Sequence, residues 1–173
     1  TSKREAQTLQ AKIIAANAYK LSDDPTESAG MPTPLKPVPF FNLAPLENAI
    51  ARLKVSAKGY DTTLAAKGTA LTPDVKARLV ALAGKTEQAM TTEPGLPGGR
   101  GWYRNMIYAP GRFTGYGAKT LPGVREAIED ERWEDADTYA GYTAKAINAY
   151  ADLLDQGVTL MGGPAAATST GAR

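Results

Sequence analysis

Apolar residues recur every three or four positions over most of this chain, which is the spacing of amphipathic helices. The pattern predicts a first helix from about Ser2 to Leu21, a second from Pro45, a third from Pro73 and a long last helix from Trp133. Because each apolar stripe must be buried against another, the pattern predicts an all-α four-helix bundle. The stripes are Leu9, Ile13 and Ala16; Leu46, Ala49, Ile50, Leu53, Ala57, Tyr60 and Leu64; Val75, Leu79, Leu82, Thr86 and Met90; and Trp133, Ala136, Ala140, Thr143, Ile147, Tyr150 and Leu154, with Leu53, Leu79 and Ile147 expected in the core.

Proline and glycine interrupt these helices. Residues 22–44 are rich in proline, which excludes a regular helix or a central strand and predicts a long, rigid excursion between the first two helices. Residues 94–100 form a predicted Gly/Pro turn cluster before an irregular loop, and a short helix is expected near Thr120. The predicted organisation is one helical domain over residues 1–156 and a flexible tail rich in Gly, Ala, Ser and Thr over residues 157–173.

The charge balance argues against nucleic acid and membrane partners. Twenty Lys and Arg residues face eighteen Asp and Glu residues, giving a net charge of +2 without a concentrated basic segment. Nucleic-acid binding requires such a basic face. No apolar stretch in the sequence approaches the length needed to cross a bilayer, and the first residues do not resemble a signal peptide. We therefore expect no nucleic-acid partner and no membrane contact.

Neither cysteine nor histidine occurs in the chain. Their absence excludes disulfides and the Ser-His and Cys-His pairs that activate nucleophiles, and catalytic zinc usually takes at least one imidazole. Paired carboxylates occur at Asp23-Asp24 and Asp130-Glu131, and such pairs can act as acid and base when burial separates their pKa values. Their polar surroundings near predicted helix ends favour solvated charge instead. We expect no catalytic residue, no metal site and no cofactor in this chain.

The most specific motif is Tyr-Arg-Asn-Met-Ile-Tyr-Ala-Pro at residues 103–110, followed by Gly-Tyr-Gly at 115–117 and Leu-Pro-Gly at 121–123. These segments resemble the C-terminal helical domain of the transferrin receptor and glutamate carboxypeptidase II family, where Arg-His-Val-Ile-Tyr-Ala-Pro leads through a loop to a Phe-Pro-Gly helix start. The similarity is specific at residue level over 96–123, and the remaining chain is compatible with the family's order of helices. The resemblance implies a domain that makes a homodimer and lends a loop to a neighbouring zinc-peptidase domain.

That loop has a defined task in the family, where a Lys-Tyr pair binds the carboxylate of a C-terminal glutamate. By resemblance, Tyr116 stands in the place of this tyrosine, and a phenol can donate a charge-assisted hydrogen bond to a carboxylate. Gly115 replaces the lysine, which leaves a preference for glutamate open, and Arg112 or Lys119 could supply a substitute cation. The alternatives are a Tyr116 side chain packed on its own domain, and solvated Arg112 and Lys119 side chains.

The resemblance implies that this chain is the dimerisation domain of a glutamate carboxypeptidase-like zinc peptidase, inactive by itself, with the peptidase domain of the longer parent chain as a further partner. Zinc is then expected only in the parent's catalytic domain. The alternative is a non-enzymatic, receptor-like or partner-binding helical module, as in family members that lack the metal ligands. The resemblance leaves the parent's localisation open among secreted, periplasmic and membrane-anchored.

Overall fold

A computed structural model describes residues 2–21, 30–113 and 115–163. The chain divides into two compact units, residues 1–40 and 41–173, whereas the sequence predicted one domain over 1–156. The described part is mostly helical, in agreement with the predicted all-α class, and the four-helix bundle stays a prediction. Its elements are α1 (Ser2–Ala15), a 3-10 turn (Ala18–Lys20), α2 (Ala44–Lys67), a 3-10 turn (Gly68–Ala70), α3 (Pro73–Ala83), α4 (Thr86–Ala89), β1 (Tyr108–Pro110), β2 (Ala118–Thr120), α5 (Pro122–Glu129) and α6 (Trp133–Leu160).

The first unit is α1 with an extended segment beside it. Gln10 of α1 binds this segment twice, since its side-chain amide donates to the Thr33 carbonyl at 3.0 Å and accepts from the Leu35 amide at 2.7 Å. Helix α1 ends earlier than predicted because Asn17 adopts left-handed backbone angles, with φ 53°, which asparagine tolerates better than most residues. Residues 30–43 contain no helix or strand. Residues 22–29 lie outside the described residues, so the full proline-rich excursion stays a prediction.

In the second unit, α6 is the central element, and α2, α3, α4 and α5 all pack against it. Helix α2 approaches closely at Gly157, where a Cβ atom would lie only 2.5 Å from Cε2 of Tyr60. Farther along the same pair, Arg52 donates to the Asn148 carbonyl at 3.1 Å and to Asp155 at 3.0 Å. A hydrogen bond to Asp152 is the main cause of the raised pKa of Arg52, assisted by the negative charges of both aspartates.

The predicted third helix is divided into α3 and α4. Thr72 caps the start of α3 by accepting a hydrogen bond from the Val75 amide at 3.3 Å. The helix stops at Ala83, and Gly84 and Lys85 close it with bonds to the Val80 and Leu82 carbonyls. The ladder is interrupted at Lys85, whose amide binds the Leu82 carbonyl three residues back, so Thr86 begins a separate short helix instead of continuing the apolar stripe.

Two clusters form the core of the second unit. The first cluster consists of Leu96, Met106, Ala109, Val124, Tyr139, Ala140 and Ala146, and the second of Leu46, Ala49, Ala144 and Ile147. Ile147 is buried as predicted, while Leu53 and Leu79 are only partly buried. Small residues on α6 make this core possible, because alanines let α2 and α5 lie close to the helix axis.

Tyr139 connects the first core cluster to the glycine-rich turn before β1. Its hydroxyl donates to the Gly95 carbonyl at 2.8 Å, and burial is the main cause of its raised pKa. Gly95, Gly98 and Gly99 all have positive φ, which confirms their prediction as turn glycines. A side chain at Gly123 would overlap the Tyr139 ring, so glycine is required at this position for the packing of α5 against Tyr139.

Helix α6 continues beyond its predicted end. Gly157 and Val158 are buried within it, and the helix ends at Leu160, so residues 157–160 belong to the packed domain and not to the predicted tail. The reason is the contact between Gly157 and α2, which the composition of the segment does not reveal. Residues 164–173, which hold most of the predicted tail, lie outside the described residues.

Candidate functional site

The 103–110 motif builds the base of a β-hairpin. The Asn105 side chain accepts hydrogen bonds from the amides of Ile107 at 2.8 Å and Tyr108 at 3.1 Å. Met106 is buried, and its amide donates to the Met90 carbonyl at 2.9 Å. Strand β1 begins at Tyr108, directly after the turn in which the Asn105 side chain binds these two amides.

Strands β1 and β2 pair antiparallel, with Ala109 opposite Lys119. The loop that joins them is closed by a hydrogen bond from the Gly111 amide to the Gly117 carbonyl at 3.0 Å. Gly115 has φ +59°, and its amide donates to the Gly111 carbonyl at 3.2 Å. A left-handed angle at this position suits glycine, and nothing lies near a Cβ built there. This loop, residues 111–113 and 115–117, is called the hairpin tip below.

Tyr116 projects from the hairpin tip. Its side chain is fully exposed. Among the described residues it therefore does not pack against its own domain, which was the alternative considered from the sequence. Phe113 is also exposed. The tip therefore presents a phenol and a phenyl ring that are available to another surface.

The two candidate cations beside Tyr116 are both engaged with carboxylates. Arg112 lies 3.4 Å from Asp130 and 5.1 Å from the centre of the Phe113 ring. Lys119 donates to Glu129, and this hydrogen bond is the main cause of the lowered pKa of Glu129. Neither cation is simply solvated, and each lies against its own domain.

The sequence analysis missed the pair that anchors the hairpin tip. Glu126 on α5 is buried, forms an ion pair with Arg100 and accepts a hydrogen bond from the Arg112 amide at 2.9 Å. The signal was present in the sequence, because Glu126 lies between Val124 and Ala127 on the inward face of the short helix. A carboxylate on an apolar face needs a buried partner.

A second carboxylate supports the hairpin from outside. Tyr108 donates to Glu87 at 3.2 Å, and the negative charge of Glu87 is the main cause of the raised pKa of this exposed phenol. The Asn105 side chain also donates to Glu87, at 3.3 Å. Glu87 thereby links α4 to the start of β1.

The acidic pairs belong to no metal-ligand cluster where they can be described. Asp130 pairs with Arg112 and Arg132, and Glu131 follows it in left-handed conformation with φ 58°. Asp23 and Asp24 lie outside the described residues. Within the described ranges, no group of three acidic side chains could hold a metal ion.

Among the helices described above, none combines the length and the apolar character that a bilayer crossing requires.

Comparison with known proteins shows which family and which relatives the chain matches. Residues 41–155 match the family described as transferrin receptor-like dimerisation domain. The chain is 33% identical over 78 residues to a probable glutamate carboxypeptidase of Arabidopsis thaliana, covering 41% of this chain and 11% of that protein. It is 37% identical over 67 residues to a probable glutamate carboxypeptidase of Arthroderma benhamiae, covering 39% of this chain and 9% of that protein. The chain thus spans about a tenth of the length of these curated relatives.

Proposed function

Because the chain belongs to the transferrin receptor-like dimerisation domain family, we propose that it forms a twofold homodimer and lends the hairpin tip to the catalytic domain of a glutamate carboxypeptidase-like zinc peptidase. The names of its relatives support the peptidase as parent. The single observation that carries the role of the tip is the fully exposed Tyr116 on a hairpin with a buried base. The chain by itself is inactive in this proposal.

Zinc belongs to the catalytic domain in this proposal. The residues of this chain do not fit the metal, since histidine and cysteine are absent and the described carboxylates form no cluster of three. We therefore expect calorimetric titration of the chain with zinc to show no stoichiometric, sub-micromolar site. A tight site would contradict the assignment of the metal to another domain.

Tyr116 is proposed to donate a hydrogen bond to the terminal carboxylate of the substrate, with Gly115 and Arg112 beside it. Tyr116→Phe in the full-length parent should then weaken transition-state binding by roughly 1.5–3 kcal/mol, the range for hydrogen bonds to charged groups. The measurement is kcat/KM for a peptide substrate, and Tyr108→Phe is a matched control because this phenol binds Glu87 of its own domain. Unchanged kinetics in Tyr116→Phe would contradict a substrate contact.

Specificity for an acidic residue depends on a cation near Tyr116. Gly115 lacks one, and Arg112 is paired with Asp130, so we propose little preference for terminal glutamate over glutamine. Gly115→Lys should raise that preference, as measured by the ratio of kcat/KM for the two substrates. Because Gly115 has a positive φ, Gly115→Asn serves as a control for the backbone change without the charge.

Dimerisation is tested directly by sedimentation of the chain. The proposal expects a dimer at micromolar concentration, because family membership favours a closed twofold pair. A strictly monomeric species at high concentration would show that this chain alone does not suffice. A receptor-like or partner-binding module remains the alternative, and the presence or loss of zinc ligands in the parent's catalytic domain decides between the two.

A further inference from the structure

Glu126 lies where three segments of the second unit meet. These are α5, the glycine-rich turn that ends near Arg100, and the chain leaving β1. Its Oε1 atom accepts the Arg112 amide at 2.9 Å, and its Oε2 atom forms an ion pair with Nη2 of Arg100. The Glu126 side chain is only 4% exposed and that of Arg100 only 15%. A carboxylate so deeply buried needs both partners to offset the loss of its hydration.

Arg100 extends the same arrangement to the end of β1. Its Nη1 atom donates to the Pro110 carbonyl at 2.9 Å. The buried pair therefore binds the main chain at Pro110 through Arg100 and at Arg112 through Glu126, on both sides of Gly111. Gly111 is also the residue whose amide and carbonyl close the hairpin tip.

We infer that Glu126 is a positioning residue, which fixes the first residues of the hairpin tip so that Tyr116 is presented from a rigid base. The inference rests on the proposed function for the contact between Tyr116 and substrate. Because Glu126 is buried, it is not proposed to contact the substrate and acts only through the hairpin tip. A purely structural role would instead stabilise the whole domain without a specific effect on the loop.

Glu126→Gln is the sharpest variant because it keeps the shape of the side chain. Both Glu126 oxygens accept hydrogen bonds, so the amide nitrogen of glutamine must face a donor, either the Arg112 amide or Arg100. Glu126→Asp keeps the charge on a shorter side chain and should restore part of the effect. Glu93→Gln is the matched control, since Glu93 pairs with Arg104 at 3.1 Å on the surface, with side chains 86% and 53% exposed.

The first measurement is amide hydrogen exchange in this chain, followed by NMR. The Arg112 amide should exchange about tenfold faster or more in Glu126→Gln, because it loses a bond to a buried charged group. The Ala151 amide, inside α6, reports global unfolding and should change much less. Glu93→Gln should leave both amides unaffected. Equal acceleration at Arg112 and Ala151, or none at either, would overturn the inference whatever the role of Tyr116.

The second measurement is kcat/KM in the full-length parent. Glu126→Gln should lower kcat/KM. The double variant with Tyr116→Phe should be no worse than the more severe single variant, because both changes act on the same contact between Tyr116 and the substrate. Additive losses would overturn the inference. If Arg112 exchange accelerates but Tyr116→Phe leaves kcat/KM unchanged, the proposed substrate contact is wrong, and the inference that depends on it is overturned. The accelerated exchange distinguishes this outcome from a failure of Glu126 to hold the hairpin tip.

Discussion

The base and the tip of the β1–β2 hairpin differ in almost every physical respect. At the base, Ala109 and Met106 are buried in the first core cluster, and Asn105 binds two backbone amides. At the tip, Phe113 and Tyr116 lie exposed, a few residues further along the chain. The contrast shows that the protein uses buried contacts to fix the start of this loop and leaves the aromatic side chains of Phe113 and Tyr116 exposed. A loop built this way can present aromatic side chains to a partner without risk to the fold.

The largest expected effect lies in the second core cluster, against which Ile107 packs just before β1. Ile147→Ala should reduce the free energy of unfolding by about 2–5 kcal/mol, through lost burial and a residual cavity. Chemical denaturation measures it. Val80→Ala is the control, because this exposed side chain on α3 should cost less than about 0.5 kcal/mol. Equal losses at the two positions would mean that α6 does not carry the core.

A smaller effect is expected where the core meets the turn before β1. Tyr139→Phe removes the hydrogen bond to the Gly95 carbonyl and should cost about 1–3 kcal/mol, since a buried acceptor loses its partner. Tyr142→Phe is a matched control on the same helix, with its ring 5.5 Å from that of Tyr139. Urea unfolding of both variants gives the comparison, and a Tyr139→Phe protein as stable as Tyr142→Phe would remove this anchor from the hairpin base.

The ion pair between Lys119 of β2 and Glu129 of α5 should contribute less to the free energy of unfolding. It should contribute only above acidic pH. Glu129 has a pKa below its ordinary value of 4.5, so its contribution is present above that value and is lost as the pH falls through the lower pKa of the folded state. Glu129→Gln should cost about 0.2–1 kcal/mol at pH 7, as for exposed pairs. Thermal unfolding at pH 7 and at low pH measures the difference.

High salt supplies the control for that prediction. The difference between wild type and Glu129→Gln should shrink in about 1 M NaCl, where surface charges are screened within about 3 Å. A stability difference between wild type and Glu129→Gln that persists at low pH or in high salt would contradict an electrostatic origin. Glu129 would then stabilise the protein by packing, as the residues of the hairpin base do.

The smallest effect on stability is expected at the hairpin tip. Tyr116→Ala should change the free energy of unfolding by less than about 0.5 kcal/mol, because its side chain is fully exposed. Denaturant unfolding beside Tyr103→Ala tests this, since Tyr103 packs partly buried against the first core cluster. A loss at Tyr116 as large as that at Tyr103 would end the distinction between tip and base.

The sequence predicted helices best where one periodic stripe runs without interruption. Helices α2 and α6 begin within a residue of their predicted starts, because the stripe, a first-turn proline in α2 and the flanking breaks agree. The third helix was predicted as one element, and the structure divides it at Gly84 and Lys85. The strands were harder, since three-residue pairs such as β1 and β2 have too few positions to show an alternation.

The candidate site divides in the same way. The motif located the loop and Tyr116, and glycine at position 115 is explained by its positive φ. The sequence offered Arg112 and Lys119 as substitute cations, but their pairing with Asp130 and Glu129 depends on how α5 packs beside the hairpin. The roles of Tyr116, Gly115 and Arg112 in substrate binding stay predictions.

The sequence by itself determined the all-α class, the turn glycines and the family, because periodicity, backbone angles that favour glycine, and a local motif are properties of short segments. Only the tertiary structure decided that Tyr116 is exposed, that Glu126 and Arg100 form a buried pair, and that Gly157 belongs to a packed helix. These features join residues distant in sequence, and their energies depend on burial, which exists only after the segments have packed.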